Sequence, residues 1–280
     1  SIMQSLVLFA ESNRGDYPNP GRLDAADNTI QAEPIEKNTT RNIFSKLIYD
    51  AYFPTELAIS PSETNTAGFA EDTDYQFSRP EAAEDRDLAL WDPAFRGTDA
   101  DPEINSGPGN FSYAQMPMFG RRAQYWSNTF SATEAVLGNR GPAYNPNPVG
   151  SLPNVTWALA DGEFGKGSQT LATHGSTNSW AGLVGFNDNH VSFFSDAQPD
   201  NLVFTVTSGA NQHTVRDNIF VSEGPDGRET ADLSGGPSSS GIPYNTQNTN
   251  AYQQTNIFLR PIFDVSGTGN TPGNIGLYVD

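Results

Sequence analysis

The first thirteen residues, Ser1-Ile-Met-Gln-Ser-Leu-Val-Leu-Phe-Ala-Glu-Ser-Asn13, are the stretch from which the fold can be inferred. Apolar residues recur in it at the spacing of one helical face, which predicts an amphipathic helix over 1–13. The apolar stripe consists of Ile2, Met3, Leu6, Val7, Phe9 and Ala10. The helix is expected to end at Asn13-Arg14-Gly15, because asparagine and glycine commonly close helices.

The start of this helix lacks the signals that its end carries. No cap, no proline in the first turn and no acidic residue introduces it. Two interpretations fit this pattern equally well. Residue 1 lies inside a longer helix that begins upstream, or the helix starts at a frayed native terminus.

A second helix is predicted over 39–53, where Asn38 or Thr39 can provide the cap and Pro54 ends the pattern. Beyond it the periodicity becomes that of short strands separated by Gly, Asn, Asp and Pro clusters. The predicted strands are 57–60, 111–116, 133–137, 156–159, 183–186, 191–194, 202–207, 219–222, 257–263 and 275–279. Long loop insertions are predicted at 61–108 and 224–254.

This order of elements predicts an α+β fold, in which an antiparallel sheet packs on the N-terminal helix. Residues 1–200 are expected to form the helix-and-sheet domain. Residues 201–280 are expected to form a β-rich C-terminal extension of the same globular unit.

Composition excludes several classes of protein. The 280 residues include 33 acidic and 15 basic side chains, which gives a net charge of −18. The only lysines, Lys37, Lys46 and Lys166, form no basic patch, so a nucleic-acid partner is not expected. The absence of cysteine excludes disulfide scaffolds, thiolate metal sites and cysteine nucleophiles. No apolar run approaches the roughly 18 residues of a membrane span.

Signals for catalysis or cofactor binding are weak. The three histidines, His174, His190 and His213, are not spaced as zinc ligands, and the chain has no Gly-x-Ser-x-Gly motif. An enzyme is therefore not predicted. Oxygen-rich loops suit calcium, for which Asp188 and Asp196 are the candidate ligands.

Three separated segments together resemble the type IV pilin-like proteins with prepilin-type N-termini, a group that includes the major pseudopilins of type II secretion systems. Residues 3–18 resemble the end of the family's long helix, with Tyr17-Pro18 as the aromatic-proline pair. Residues 38–62 are similar to the short helix and strand that follow, although Ser60 stands where relatives often carry cysteine. Residues 180–193 resemble the hairpin of a subgroup named for His, nine residues, then Asp-Gly.

The hairpin departs from that subgroup in two ways. Asn189 stands in place of the glycine after Asp188, and His174 lies farther upstream than the name requires. The likeness is therefore to the shape of the hairpin. Its residues are Trp180, Asp188, Asn189 and His190.

The resemblance implies a pilin-like fold and a structural role. Such a protein would be a subunit of an extracellular or periplasmic helical filament, assembled through its N-terminal helix with copies of itself and with secretion or pilus machinery. An apolar segment upstream of residue 1 would anchor it in the inner membrane before assembly. The assembly residues would be Ile2, Met3, Leu6, Val7 and Phe9.

Two rival interpretations remain open. A secreted carbohydrate-binding protein would stack exposed tryptophans on glycans, and a secreted hydrolase would use some of the many carboxylates. The tryptophans are Trp91, Trp126, Trp157 and Trp180. The apolar surroundings of Trp157 and Trp180 predict burial, and His190 is expected to stabilise a turn.

Overall fold

The helices lie at the start of the chain in a computed structural model that describes residues 1–101, 107–174, 177–224, 227, 232–236, 242–244 and 251–279. They are α1 (Ile2–Ser12), α2 (Pro20–Leu23) and α3 (Thr40–Tyr49). Short 3-10 turns follow at Thr55–Ala58, Gly120–Tyr125, Gln169–His174 and Ala251–Gln253. The helix predicted over 1–13 is confirmed.

The described strands form three antiparallel sheets. A four-stranded meander pairs β1 (Tyr113–Gln115), β2 (Ala135–Asn139), β3 (Gly182–Phe186) and β4 (Val191–Phe194) in chain order. A hairpin joins β5 (Val203–Ser208) to β6 (Asn211–Arg216), and a third sheet has the order β7 (Ile242–Pro243), β9 (Thr271–Leu277), β8 (Ile262–Thr268). The mixture of helices and antiparallel sheets confirms the α+β class.

Three predicted strands are wrong. Residues 57–60 overlap a 3-10 turn, and residues 219–222 form a turn in which the Val221 amide donates to the Asn218 carbonyl. Residues 156–159 make only isolated bridges to residues 149 and 144. A short apolar run without alternation reports burial, and burial alone does not distinguish a strand from a packed turn. The strand predicted at 257–263 begins only at Ile262, and β6 was missed because it is mostly polar.

The second helix ends four residues earlier than predicted. Ala51 takes a left-handed conformation with φ of 58°, and the Tyr52 amide donates to the Leu47 carbonyl. This turn closes the helix at Tyr49 before Pro54 is reached. Thr39 occupies the cap position, but its hydroxyl makes no capping hydrogen bond, so the predicted side-chain cap is wrong.

Helix α1 packs across the meander and against the turn after α3. Leu6 and Ala10 are fully buried, and the Ser5 hydroxyl donates to the Tyr52 carbonyl at 3.0 Å. A Cβ added at Gly185 of β3 would lie 2.5 Å from Cγ of Met3. The helix can therefore approach the sheet this closely because residue 185 has no side chain.

The opposite face of the meander packs against the C-terminal region. A Cβ at Gly138 would lie 3.0 Å from Leu259, and the buried Arg260 guanidinium donates to the carbonyls of Gly141, Pro142 and Phe220. A single cluster of buried apolar residues contains members from Ile2 to Val279. The C-terminal region therefore shares its core with the helix and the meander.

We predict that Leu6→Ala lowers the free energy of unfolding by about 2–5 kcal/mol, because it leaves a cavity in the core under α1. Leu8→Ala on the same helix is the matched control. Its side chain is 44% exposed, so its effect should stay within about 0.5 kcal/mol. Urea unfolding measures both, and equal effects of the two substitutions would contradict this packing of α1.

Candidate functional site

One side of α1 is buried in the core and the other is exposed to solvent. Of the predicted assembly stripe, Ile2, Met3, Leu6 and Phe9 are buried in the chain's own core, and only Val7 is partly exposed. The apolar side chain that α1 presents most openly is Leu8, which the helical stripe did not include. In the sequence, Leu8 could have been recognised as an apolar residue on the otherwise polar side of the helix.

The residue before α1, Ser1, already takes part in helical hydrogen bonding. The Ser5 amide donates to the Ser1 carbonyl at 2.9 Å, while the Ser1 side chain makes no capping bond. Ser1 is exposed, so the first turn of the helix reaches the protein surface. Among the described residues, no helix has the length and apolarity that crossing a membrane requires.

The β3–β4 hairpin forms as predicted, with its turn at Asn187-Asp188-Asn189. Asn189 has φ of 69°, a left-handed conformation that asparagine tolerates, so it can stand where the family has glycine. His190 Nδ1 lies 2.5 Å from Asp188 Oδ1, and its ring stacks on Phe186 with centroids 4.4 Å apart. The hydrogen bond from the His190 amide, with the ring contact, lowers the pKa of Asp188. These contacts stabilise the turn, as expected for His190.

The four tryptophans are all buried. Trp180 is fully enclosed, with its Nε1 donating to the Arg140 carbonyl at 2.7 Å, and Trp157 is 8% exposed. The predicted burial of Trp157 and Trp180 is confirmed. Trp91 and Trp126 are likewise part of the interior. With at most 8% of each residue exposed, these four rings do not form an exposed surface platform for a glycan.

The two calcium candidates are held by other partners. Asp188 bonds His190, and Asp196 accepts a hydrogen bond from the Gln198 amide at 2.8 Å. Asp196 also lines a cleft of about 540 Å³ beside Trp157 and Arg216. In the described part of the chain, no three His, Cys, Asp or Glu side chains are grouped as metal ligands. Calcium binding stays a prediction.

Apolar side chains are exposed on the outer part of the meander, which the sequence did not indicate. Leu183, Val191 and Phe193 are 45%, 53% and 56% exposed. We call these three residues the β3–β4 patch. A groove of about 150 Å³ runs between this patch and the first turn of α1. The patch therefore adjoins the end of the helix that reaches the surface.

A buried pair of carboxyl groups, Asp217 and Glu223, was also missed by sequence reasoning. The two side chains share a hydrogen bond at the floor of a second cleft of about 540 Å³. The Asn256 amide nitrogen donates to both of them, and the Ile257 amide donates to Asp217 at 2.9 Å. No spacing in the sequence signals this pair, because Asn256 lies 33 residues beyond Glu223.

Burial raises the pKa of both carboxyl groups, since a charge is poorly solvated there. The nearby Asp217 charge raises the pKa of Glu223 further, whereas hydrogen bonds partly offset the rise at Asp217. The buried Arg122 guanidinium bonds the Asn256 side chain at 3.0 Å, and burial lowers its pKa to about 10. The raised pKa values favour the protonated form of the pair, and the hydrogen bonds from the Asn256 side chain and the Ile257 amide connect it to residues 256–257.

Comparison with known proteins returns no relative: no protein-family model, curated protein or solved structure matches the chain. Any inference about function therefore rests on the geometry of α1, of the β3–β4 patch and of the surface around them.

We predict that raising the pH above the unfolded carboxyl pKa values near 4 lowers the free energy of unfolding through the carboxyl pair, until the raised pKa values of the folded chain have been passed. The folded chain binds a proton there that the unfolded chain, with ordinary carboxyl pKa values near 4, has already released. The stabilisation is complete below the unfolded pKa values and is lost as pH rises through the raised ones. Glu223→Gln carries no titrating proton, so its stability should fall less steeply.

Urea unfolding of wild type and Glu223→Gln across pH 5 to 9 tests this. Glu163→Gln is the control, because Glu163 is an exposed carboxylate. Identical pH slopes for wild type and Glu223→Gln would show that the pair does not hold the proton.

Proposed function

We propose that this chain is a pilin-like structural subunit of an extracellular or periplasmic helical filament, assembled through its N-terminal helix. The observation that carries the proposal is the state of α1. One side of it is fixed in the core by Leu6 and Ala10, while Leu8 is exposed, as is Ser1, which precedes the helix without a side-chain cap. A helix held in this way can transmit force between a globular head and neighbouring subunits.

The division of the apolar residues of α1 supports this interpretation. Ile2, Met3, Leu6 and Phe9 hold the helix in the core along the stripe. Val7 and Leu8 are not needed for this packing in the core and are available to a neighbouring helix. In a filament, such head-to-tail contacts repeat by a screw operation without closing.

The proposal requires an apolar segment in the encoded protein before residue 1. A length of about 20 apolar residues would cross a bilayer and hold the subunit in the inner membrane until assembly. The encoded upstream sequence tests this directly. A long apolar segment preceded by a prepilin-type cleavage site supports the filament, and an ordinary signal peptide favours one of the secreted alternatives.

The acidic surface fits the outside of a filament. With a net charge of −18, neighbouring filaments repel one another at low salt, and about 0.1 M salt limits this repulsion to roughly 10 Å. Contacts within a filament must therefore come from uncharged surfaces. On the outward side of α1, Leu8 and the partly exposed Val7 provide such an uncharged contact, next to the exposed Glu11.

We predict that Leu8→Glu in the full-length protein abolishes filaments in the cells that make it, while the chain still folds. A charge at this position would be buried unpaired between packed helices. Electron microscopy of sheared surface fractions, with antibody labelling of the subunit, measures the outcome.

Leu57→Glu is the matched control, because Leu57 is 39% exposed and belongs to a 3-10 turn, not to α1. It should leave filaments intact. Normal filaments from Leu8→Glu, or a wild-type protein that never forms filaments in its own cells, would refute the proposed role of α1.

A further inference from the structure

One edge of the meander is covered by another part of the chain, and the other edge is open. At the β1 edge, the Arg260 amide donates to the Gln115 carbonyl at 2.9 Å, so this edge is covered by the C-terminal region. Strand β4 forms the other edge and pairs only with β3. Among the described residues, no backbone partner lies on its outer side.

The pairing of β4 with β3 determines which backbone groups remain free. The Phe186 amide donates to the His190 carbonyl, so residues 190, 192 and 194 direct their backbone groups toward β3. Val191 and Phe193 consequently direct their N–H and C=O groups away from the sheet. The register between β3 and β4 has no bulge that would twist this edge aside.

Strand β4 also lacks the features that protect an open edge. Its sequence is Val-Ser-Phe-Phe, without a charge or a proline, in a chain whose net charge is −18. The side chains of Val191 and Phe193 are each more than half exposed. Monomeric proteins usually protect such strands with lysine, proline or a bulge, because an open apolar edge pairs readily with another strand.

We propose that β4 is a self-association surface, on which a second copy of this chain pairs its own β4 in antiparallel orientation. The strand offers no charge by which a charged partner could be selected. It offers backbone donors and acceptors that a two-fold axis makes complementary to themselves, together with apolar side chains on one face. The two meanders then form one continuous sheet.

The flanking charges select the register. An axis through Ser192 would place Asp188 of one copy against Asp196 of the other, and like charges opposite each other are unfavourable. An axis through Phe193 places Phe193 against its equivalent and His190 against Asp196 of the second copy. The second register removes the like-charge contact, because it places His190 instead of a carboxylate opposite Asp196.

The size of the patch sets the strength of the contact. Three side chains, each about half exposed, supply an area far below the roughly 800 Å² per partner of a standard stable interface. The isolated chain should therefore dimerise weakly. Salt should strengthen the dimer, because it screens the repulsion between two copies of charge −18 and no ion pair dominates the contact.

This contact goes beyond the proposed filament and does not depend on it. A two-fold contact closes on itself, so it cannot extend a filament. It can connect subunits of adjacent filaments, where many weak contacts act together and produce a strong association. In the isolated chain it produces a dimer whether or not filaments form.

Sedimentation of the 280-residue chain at rising concentration and salt tests the proposal. Val191→Lys should abolish association, because it places a charge on the edge. Val203→Lys is the matched control, since Val203 is also 53% exposed but lies on β5. A wild type that stays monomeric at every concentration, or equal effects of the two lysines, would overturn the proposal.

Cysteine trapping tests the register independently of affinity. The chain has no cysteine of its own, so single substitutions report one position each. Phe193→Cys should form a disulfide dimer under mild oxidation, because directly paired residues on the axis have Cα atoms about 5.5 Å apart, within disulfide range. Ser192→Cys should not. Faster trapping at Ser192, or none at Phe193, would overturn the assignment, and neither result bears on filament formation.

Discussion

The packing of α1 onto the meander is the contact on which the rest of the structure depends. It brings the Met3 side chain against the bare backbone of Gly185 and encloses Leu6 completely. Without this support the apolar stripe of the helix would be exposed to water, and without the helix the sheet would lose the cover of one face. This placement determines where Ser1 reaches the surface, why Leu8 is exposed, and where the groove beside the β3–β4 patch lies.

Local patterns in the sequence were sufficient for the elements with strong periodicity. The α1 stripe and the Asn187-Asp188-Asn189 turn were both predictable, because helical spacing and turn residues act over a few positions. The run at 219–222 was misassigned, since its apolar residues pack into a turn instead of a strand. Whether an apolar side chain is buried by the chain's own core depends on distant segments that no local pattern contains.

The same limit applies to the candidate site. Helical spacing placed Leu6 on the apolar stripe, but the exposure of Leu8 follows from which side of α1 meets the sheet. The carboxyl pair could not be predicted because Asp217, Glu223 and Asn256 meet only after the C-terminal region has folded back. The pilin resemblance remains a hypothesis that rests on the order of three short segments.

The placement of the C-terminal region has a consequence for how the chain reaches its native state. Arg260 bonds carbonyls 118 and 119 residues earlier, and the Ile262 amide bonds Thr40 across 222 positions. Contacts so distant along the chain must pay a large loop-closure entropy before they stabilise anything, which makes folding slow. One face of the meander therefore stays uncovered until residues 259 and 260 have been synthesised and have folded back, and its apolar surface is prone to aggregation in that interval.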